Sequence, residues 1–324
     1  MRAFAWLIGL FRAAIRLLMT ERSSVGAVER LVRGVLMVPV FGVMFMLVLL
    51  RALVFGPIRI EAQSAEGDWY ACHLPDLIQT YIYLFGAWEP DLAAFMRSRL
   101  QSGDVFVDVG ANIGYDTMLA ARPVGDAGRV VAIEAAPAVF ERLLETLRLN
   151  GSPTNVRTIN KAVAASRGTL TIYAGPQHNI GLTTTVRRGN MPRIAEVEAL
   201  PLGDLLLSDE WGRVRMIKID VEGGEDAVLA GILECIDRLP RQIEIAVELS
   251  PMWWADRSRN AADVLRPYVD RGFDVYTIAN NYWPWRLLWP RDVQRPRRLR
   301  DETALTRPMK RLDIVLSRTD AEQL

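Results

Sequence analysis

The chain has 324 residues, half of them hydrophobic, and a formal net charge of +1. This length and apolar content allow one large α/β core or two smaller domains, and they exclude a disordered chain. The balanced charge gives no indication of a nucleic acid partner. Two isolated cysteines, Cys72 and Cys235, and only two histidines predict no disulfide framework and no metal centre.

The first 56 residues are apolar and flanked by basic residues, which predicts a helical N-terminal region. Arg12 and Arg16 lie four residues apart in the apolar segment 3–19 and would share one helical face, as in a helix lying in a membrane interface. Segment 34–50 carries no charge and is close to the roughly 20 residues that cross a bilayer. These residues therefore form a candidate membrane anchor. The alternative is that both helices pack on the following domain or on a second subunit.

Residues 57–100 predict a short strand pair followed by helical segments that lead into a domain over 101–324. That domain opens with a strand, Asp104 to Val109, and a glycine turn from Gly110 to Gly114, after which helical spacing begins. Without Cβ atoms, the two glycines would let a ligand lie against the backbone at a helix N-terminus. Nucleotide-binding folds of several chemistries share such turns, and a plain tight turn is the alternative.

A second strand, Arg129 to Ile133, ends in Glu134, about 20 residues beyond the glycine turn. An acid in this position can accept hydrogen bonds from both ribose hydroxyls of a nucleotide. The alternative is that Glu134 is only a residue at the start of the helix before Pro137. The turn at Ala162, after a third strand, would then lie against an adenine.

Strands and helices continue to alternate, which predicts a parallel sheet with crossover helices and a ligand site at the carboxyl ends of the strands. The last strand, 311–317, follows the sixth through a loop without a helix and must run antiparallel to it. The predicted elements are a helix over 140–150, strands over 156–160 and 169–173, a short helix over 202–207, strands over 214–219 and 244–248, a helix over 260–270 and a strand over 273–278.

The chain ends with a tryptophan-rich stretch and its densest run of basic residues. Together they indicate a surface that meets lipid headgroups, an anionic acceptor or a sugar, or else a solvated loop whose tryptophans pack back on the sheet. The residues are Trp283, Trp285 and Trp289, with Arg286, Arg291, Arg295, Arg297, Arg298, Arg300, Arg307, Lys310 and Arg311.

Three stretches carry a family resemblance: DVGANIGYDTMLAA (108–121), VVAIEAAPAVFERL (130–143) and, most specifically, IKIDVEGGEDAVLAG (217–231). Over roughly residues 100–250 the chain resembles the FkbM family of S-adenosylmethionine-dependent methyltransferases. The resemblance implies a class I, Rossmann-like fold: a mostly parallel seven-stranded sheet with a late antiparallel strand. It also implies O-methylation of a hydroxyl on a sugar, glycolipid or secondary metabolite. By motif position, S-adenosyl-L-methionine would contact Asp108, Gly110, Asn112 and Gly114 with its methionine part, Glu134 with its ribose and Ala162 with its adenine.

Three acids are candidates to position the acceptor hydroxyl or take its proton. Asp220 and Glu222 follow the strand 214–219, and Glu248 ends the next strand. Asp220 could instead cap the helix beginning near Glu225, and Lys218 could pair with one of these acids. A second candidate base is His178, which could equally be a surface histidine.

Two other functions stay open at this stage. A nicotinamide-dependent oxidoreductase could use a related sheet, but the Gly110-to-Gly114 turn lacks the GxGxxG pattern. A membrane-associated binding module without catalysis is disfavoured by the intact Glu134.

Basic residues before the apolar segment would keep the N-terminus in the cytoplasm, and a single span would then separate the domain from its cytosolic cofactor. We therefore expect a monotopic or hairpin anchor, a cytoplasmic domain, and a small-molecule, glycan or lipid-linked acceptor.

Overall fold

A computed structural model of the chain describes residues 2–19, 26–175, 183–187, 189–280, 293–301 and 303–324. The described residues form two compact units. The first runs to Pro90 and adds Asn280 and Val293, and the second contains the rest. The boundaries at 56 and 100 suggested by the sequence stay predictions.

The first unit contains three helices and one strand pair. Its elements are α1 (Arg2–Leu18), α2 (Ala27–Phe55), β1 (Ile58–Gln63), β2 (Trp69–Leu74) and α3 (Leu77–Phe85). Strands β1 and β2 pair antiparallel, so the strand pair predicted for the lead-in segment is present. Asp76 caps α3 by accepting a hydrogen bond from the Gln79 backbone N–H at 3.1 Å.

Helix α1 turns its two arginines toward α3. The Arg12 guanidinium lies 4.8 Å from the centre of the Tyr83 ring, and Arg16 Nε donates to the Leu84 carbonyl at 3.3 Å. The opposite face of α1 exposes Trp6, Leu10 and Leu17 at helical spacing. The arginines are thus held by protein contacts, and the exposed stripe of α1 is apolar.

Helix α2 exposes apolar side chains over most of its length. The segment Leu31–Phe55 has a mean hydropathy of 2.4 and is 11% buried, and it is long enough to cross a bilayer. A narrow stripe of Met37, Met44 and Val48 is buried. A helix whose buried side is this narrow leaves a large apolar surface without a protein partner among the described residues.

The second unit is built on an eight-stranded sheet. Its strands are β3 (Val105–Val109), β4 (Arg129–Ile133), β5 (Val156–Ile159), β10 (Val214–Ile219), β11 (Glu244–Leu249), β12 (Asp274–Thr277), β13 (Arg297–Arg298) and β14 (Leu312–Ser317). The order is β13-β12-β14-β11-β10-β3-β4-β5. Neighbours from β11 to β5 are parallel, and β14 runs antiparallel to β11 and β12. The predicted parallel sheet with a late antiparallel strand is confirmed, with the short β13 as an added edge.

The sheet is apolar on both faces because helices cover it. The helices of this part of the chain are α4 (Pro90–Arg99), α5 (Tyr115–Val124), α6 (Pro137–Leu149), α7 (Leu202–Leu205), α8 (Glu225–Leu233), α9 (Ala261–Val269) and α10 (Thr303–Thr306). Of these, α5 packs on β3 and β4, and α8 packs on β11. Val107, Ile217 and Ile245 are fully buried at the centre of the core. Asn260 and Asp263 form a capping box at the start of α9.

A second, four-stranded sheet in this unit was only partly predicted. It consists of β6 (Ala162–Val163), β7 (Gly168–Ala174), β8 (Thr183–Thr184) and β9 (Arg193–Leu200), in the order β6-β9-β7-β8. The sequence indicated β7 but missed β9. Its inward residues, Ala195, Val197 and Ala199, are small and alternate with polar ones, so the periodic hydrophobic signal is weak.

Candidate active site

The register of the main sheet aligns the ends of three parallel strands with Val247, near the end of β11. Ile133, Val109, Ile219 and Val247 are aligned across β4, β3, β10 and β11. The residues that follow them are therefore neighbours at the carboxyl edge, where ligands of open α/β sheets bind. They are Glu134, Gly110, Asp220 and Glu248.

The glycine turn fits closely against the loop after β10. The Asp220 N–H donates to the Val109 carbonyl at 2.9 Å. A Cβ atom at Gly110 would lie 1.9 Å from the Asp220 carbonyl oxygen, and Gly110 has φ +84°. At Gly114, with φ +87°, a Cβ atom would lie 2.6 Å from Leu143 Cδ1. The positive φ favours glycine at both positions, and at Gly110 the close approach of the Asp220 backbone requires it. The contact of these glycines with a ligand stays a prediction.

Glu134 connects the ends of β3 and β4. Its Oε2 accepts the Asn112 N–H and its Oε1 accepts the Ala136 N–H, both at 2.9 Å. The residue is 5% exposed, and burial raises the pKa of its carboxyl to about 7 although the two N–H donors oppose the shift. Each carboxylate oxygen keeps a second lone pair, so Glu134 can still accept ribose hydroxyls.

Asn160 is a residue that the sequence analysis missed. Its Nδ2 donates to the carbonyls of Glu134 and Ala135 at 2.8 and 3.1 Å, which fixes the chain just after β4. An asparagine at the end of a strand was the available signal. Asn112, on the other side of Glu134, has φ +50°, a conformation that few non-glycine residues adopt.

A buried lysine binds three carboxylates below the glycine turn. Lys218 Nζ lies 2.9 Å from Asp116 Oδ2, 3.4 Å from Asp220 Oδ2 and 4.0 Å from Asp108 Oδ1. Thr117 Oγ1 donates to Asp108 Oδ2 at 2.6 Å. Burial raises the pKa of Asp108 to about 6, against the attraction of Lys218. The pairing of Lys218 with acids is confirmed, and Asp116 is a partner that the sequence did not indicate.

The three candidate acids do come together. Asp220, Glu222 and Glu248 each offer a carboxylate oxygen, and these oxygens lie within 4.8 Å of one another. Arg311 Nε lies 3.4 Å from Glu248 Oε1, so Glu248 belongs to an ion pair. The alternative role of Asp220 as a helix cap is wrong, because α8 has Gly224 at its N-cap and no side-chain cap.

The remaining predicted residues differ in how they are placed. Ala162 is buried in the small sheet, paired with Ala199. Arg298 and Arg300 of the basic run lie against Asp274, Asp320 and Glu322, so these charges are paired within the protein. Further residues fall outside the described part of the chain: His178, Trp283, Trp285, Trp289, Arg286 and Arg291.

The residues at the sheet edge fit a nucleoside cofactor with cationic groups. Glu134 offers acceptor positions for ribose hydroxyls, and the Oδ1 atoms of Asp108 and Asp116 are buried with no hydrogen-bond partner in the described chain. Three carboxylates around one lysine leave an excess of negative charge. Such an excess attracts an ammonium or sulfonium group.

The chain is similar to known methyltransferases. The FkbM methyltransferase domain matches residues 108–275, just over half of the chain. Methyltransferase sdnD of Sordaria araneosa is 26% identical over 55% of this chain and 76% of its own length. Hexuronic acid methyltransferase AglP of Haloferax volcanii is also 26% identical, over 55% of this chain and 65% of its own length.

Solved structures resemble the chain less. The FkbM methyltransferase of Methylobacillus flagellatus has a TM-score of 0.39 and 16% identity, over 57% of this chain and 43% of its own. An O-methyltransferase of Thermotoga maritima has a TM-score of 0.38 and 15% identity, over 83% and 80%. At these scores the assignment depends on the family match, which removes the oxidoreductase alternative. The chain belongs to the FkbM family of methyltransferases and is an enzyme of that type.

Proposed function

We propose that this methyltransferase binds S-adenosylmethionine at the carboxyl edge of β3, β4 and β10 and methylates a hydroxyl group. The position of Glu134 carries the proposal: a buried carboxylate at the end of β4 that accepts the Asn112 N–H from the glycine turn. This is where a ribose acid belongs in a Rossmann-like sheet. Asp108, Gly110, Asn112, Gly114 and Ala162 stay predicted contacts of the rest of the cofactor.

When bound, S-adenosylmethionine supplies a methyl group already activated on a sulfonium. The protein then mainly has to align the acceptor oxygen with that methyl group and exclude water. Asp220, Glu222 and Glu248 would bind the acceptor hydroxyl and take its proton. Ion pairs with Lys218 and Arg311 fix Asp220 and Glu248, respectively, so the carboxylate oxygens that would meet the acceptor hydroxyl are held in place.

For the acceptor we propose a sugar or secondary-metabolite hydroxyl. One relative is named for hexuronic acid and the other match is a methyltransferase of Sordaria araneosa. Labelled methyl transfer to glucuronic acid, methyl glycosides of neutral hexoses and a membrane lipid extract tests this class. If the enzyme methylates a protein or a nucleic acid but none of these acceptors, the proposed acceptor class is refuted.

Calorimetry on the full chain in detergent tests the cofactor. We expect S-adenosylmethionine and S-adenosylhomocysteine to bind and NAD to give no heat. Absence of binding by the first two would refute the proposed site.

We further propose that the first unit attaches the enzyme to the cytoplasmic face of a membrane. The exposed stripe of α1 and the broad apolar face of α2 support this.

The test of this anchor combines Val35→Lys with Met46→Lys, which places two charges on exposed positions of α2. Each charge costs roughly 2.5 to 3.5 kcal/mol in a bilayer centre. We expect these changes to move the protein from liposomes to solution in flotation. Leu207→Lys, at an exposed leucine of the second unit, is the control, and equal flotation of all three proteins would refute the anchor.

A further inference from the structure

The loop Asp220–Gly224, the acid loop, has a backbone conformation that needs contacts from other segments to be stable. Glu222 has φ +47°, a left-handed conformation that is unfavourable for a residue with a Cβ atom. Such a conformation persists only when surrounding contacts determine it. The loop carries Asp220 and Glu222, so whatever fixes its backbone also fixes two of the three candidate acids.

A buried carboxylate at the start of α8 makes one of these contacts. Glu225 is 1% exposed, and its Oε1 accepts the Gly223 N–H at 2.7 Å. Its Oε2 accepts the indole N–H of Trp254 at 2.6 Å. Both carboxylate oxygens are therefore used, one inside the acid loop and one on the segment after β11.

The segment after β11 also touches the acid loop directly. A Cβ atom at Gly223, which has φ +98°, would lie 2.7 Å from the Trp253 carbonyl oxygen. On the other side, Thr184 Oγ1 donates to the Glu222 carbonyl at 2.7 Å. The acid loop is thus held between β8 and the chain that follows Glu248, and Glu225 links the acid loop to Trp254 in that chain.

We propose that Glu225 is a positioning residue for methyl transfer, which fixes the acid loop to Trp254 and so sets Asp220 and Glu222 relative to Glu248. Glu225 itself does not touch the reacting groups. Its effect passes through the Gly223 backbone and the indole of Trp254. The inference rests on the proposed function, since the distance between these acids matters only if they meet the acceptor.

The test compares Glu225→Gln with Glu234→Gln in the full chain. Glu234 is exposed at the other end of α8, so its substitution controls for loss of a glutamate from the same helix. Glutamine has one acceptor oxygen and one NH2 group, so it must oppose either the Gly223 N–H or the indole N–H. Loss of one hydrogen bond corresponds to about tenfold faster amide exchange in the acid loop.

Turnover gives the second measurement, with the acceptor methylated best in the panel above. We expect Glu225→Gln to lower kcat about 10- to 100-fold through misplaced acids, with an unchanged KM for S-adenosylmethionine and a melting temperature near that of the wild type. Glu234→Gln should match the wild type in all measurements. Unchanged exchange in Glu225→Gln, or faster exchange with unchanged kcat, would overturn the proposal.

A double variant separates positioning from general packing. Trp254→Phe removes the indole donor, so in Glu225→Gln/Trp254→Phe the glutamine oxygen can accept the Gly223 N–H while its NH2 group faces the phenylalanine ring. We expect the double variant to recover kcat relative to Glu225→Gln, and effects that simply multiply would count against the proposal. If the wild-type protein binds no S-adenosylmethionine, the proposed function is refuted. The exchange measurement needs no cofactor, so it tests separately whether Glu225 holds the acid loop.

Discussion

Glu134→Gln should weaken cofactor binding, and the affinity of this variant for the cofactor should depend little on pH. In the wild type the carboxylate is buried and its pKa is raised to about 7. Ribose hydroxyls donate hydrogen bonds, so they bind the ionised form and lower this pKa on binding. Cofactor affinity should therefore rise with pH up to about 7 and level off above it.

The magnitude follows from the two protonation states. At about pH 6 a group with a pKa of about 7 is roughly one tenth ionised, so the Kd should be about tenfold higher than at about pH 8. A hydrogen bond to a charged acceptor contributes about 1.5 to 3 kcal/mol. Its loss in Glu134→Gln should raise the Kd at about pH 8 by roughly 10- to 150-fold.

Isothermal titration of the full chain with S-adenosylmethionine at three pH values measures both effects. The ligand's own titration is common to all variants, so the comparison between proteins isolates Glu134. Glu141→Gln, at an exposed glutamate of α6, is the control and should follow the wild type. A wild-type pH dependence that persists unchanged in Glu134→Gln, or equal affinities of the two proteins, would refute the assignment of Glu134 to the ribose.

Three further predictions follow from the same geometry. Without cofactor, the protein should be more stable at about pH 5.5 than at about pH 8. Burial raises the pKa of Glu134 and Glu225 from 4.5 in the unfolded chain to about 7 in the fold. The contribution of each group to the free energy of unfolding is therefore complete below pH 4.5 and is lost as the pH rises through 7, by up to about 3 kcal/mol each. Melting temperatures that rise over this interval would contradict it. Gly110→Ala should destabilise the fold by more than about 3 kcal/mol in denaturant titration, because φ is positive and the methyl group overlaps a carbonyl, while Gly212→Ala, with open space around it, should change little. Asp220→Asn should lower turnover by roughly 10² to 10⁴ with intact cofactor binding, and near-normal turnover would remove Asp220 as the base.

Local patterns in the sequence determined the main architecture. Alternation of apolar strands with helices predicted the parallel sheet, and a strand joined to its predecessor by a loop predicted the antiparallel β14. The glycine turn and Glu134 are found at the strand ends where the sequence placed them. These features are readable because each depends on residues close together in the chain: hydrophobic period, turn chemistry and strand length.

Contacts between distant segments were decided only by the tertiary structure. The sequence suggested a pairing for Lys218, but Asp116 as its partner follows from α5 packing on β3, the strand next to β10. The Gly110 backbone meets the Asp220 carbonyl because β3 and β10 are adjacent, 110 residues apart in the chain. Arg12 turns toward Tyr83 because α1 packs on α3, which helical periodicity alone cannot specify. Periodicity gives the face of an element and not its partner, since partners are selected by packing and by the pairing of buried charges across the whole fold.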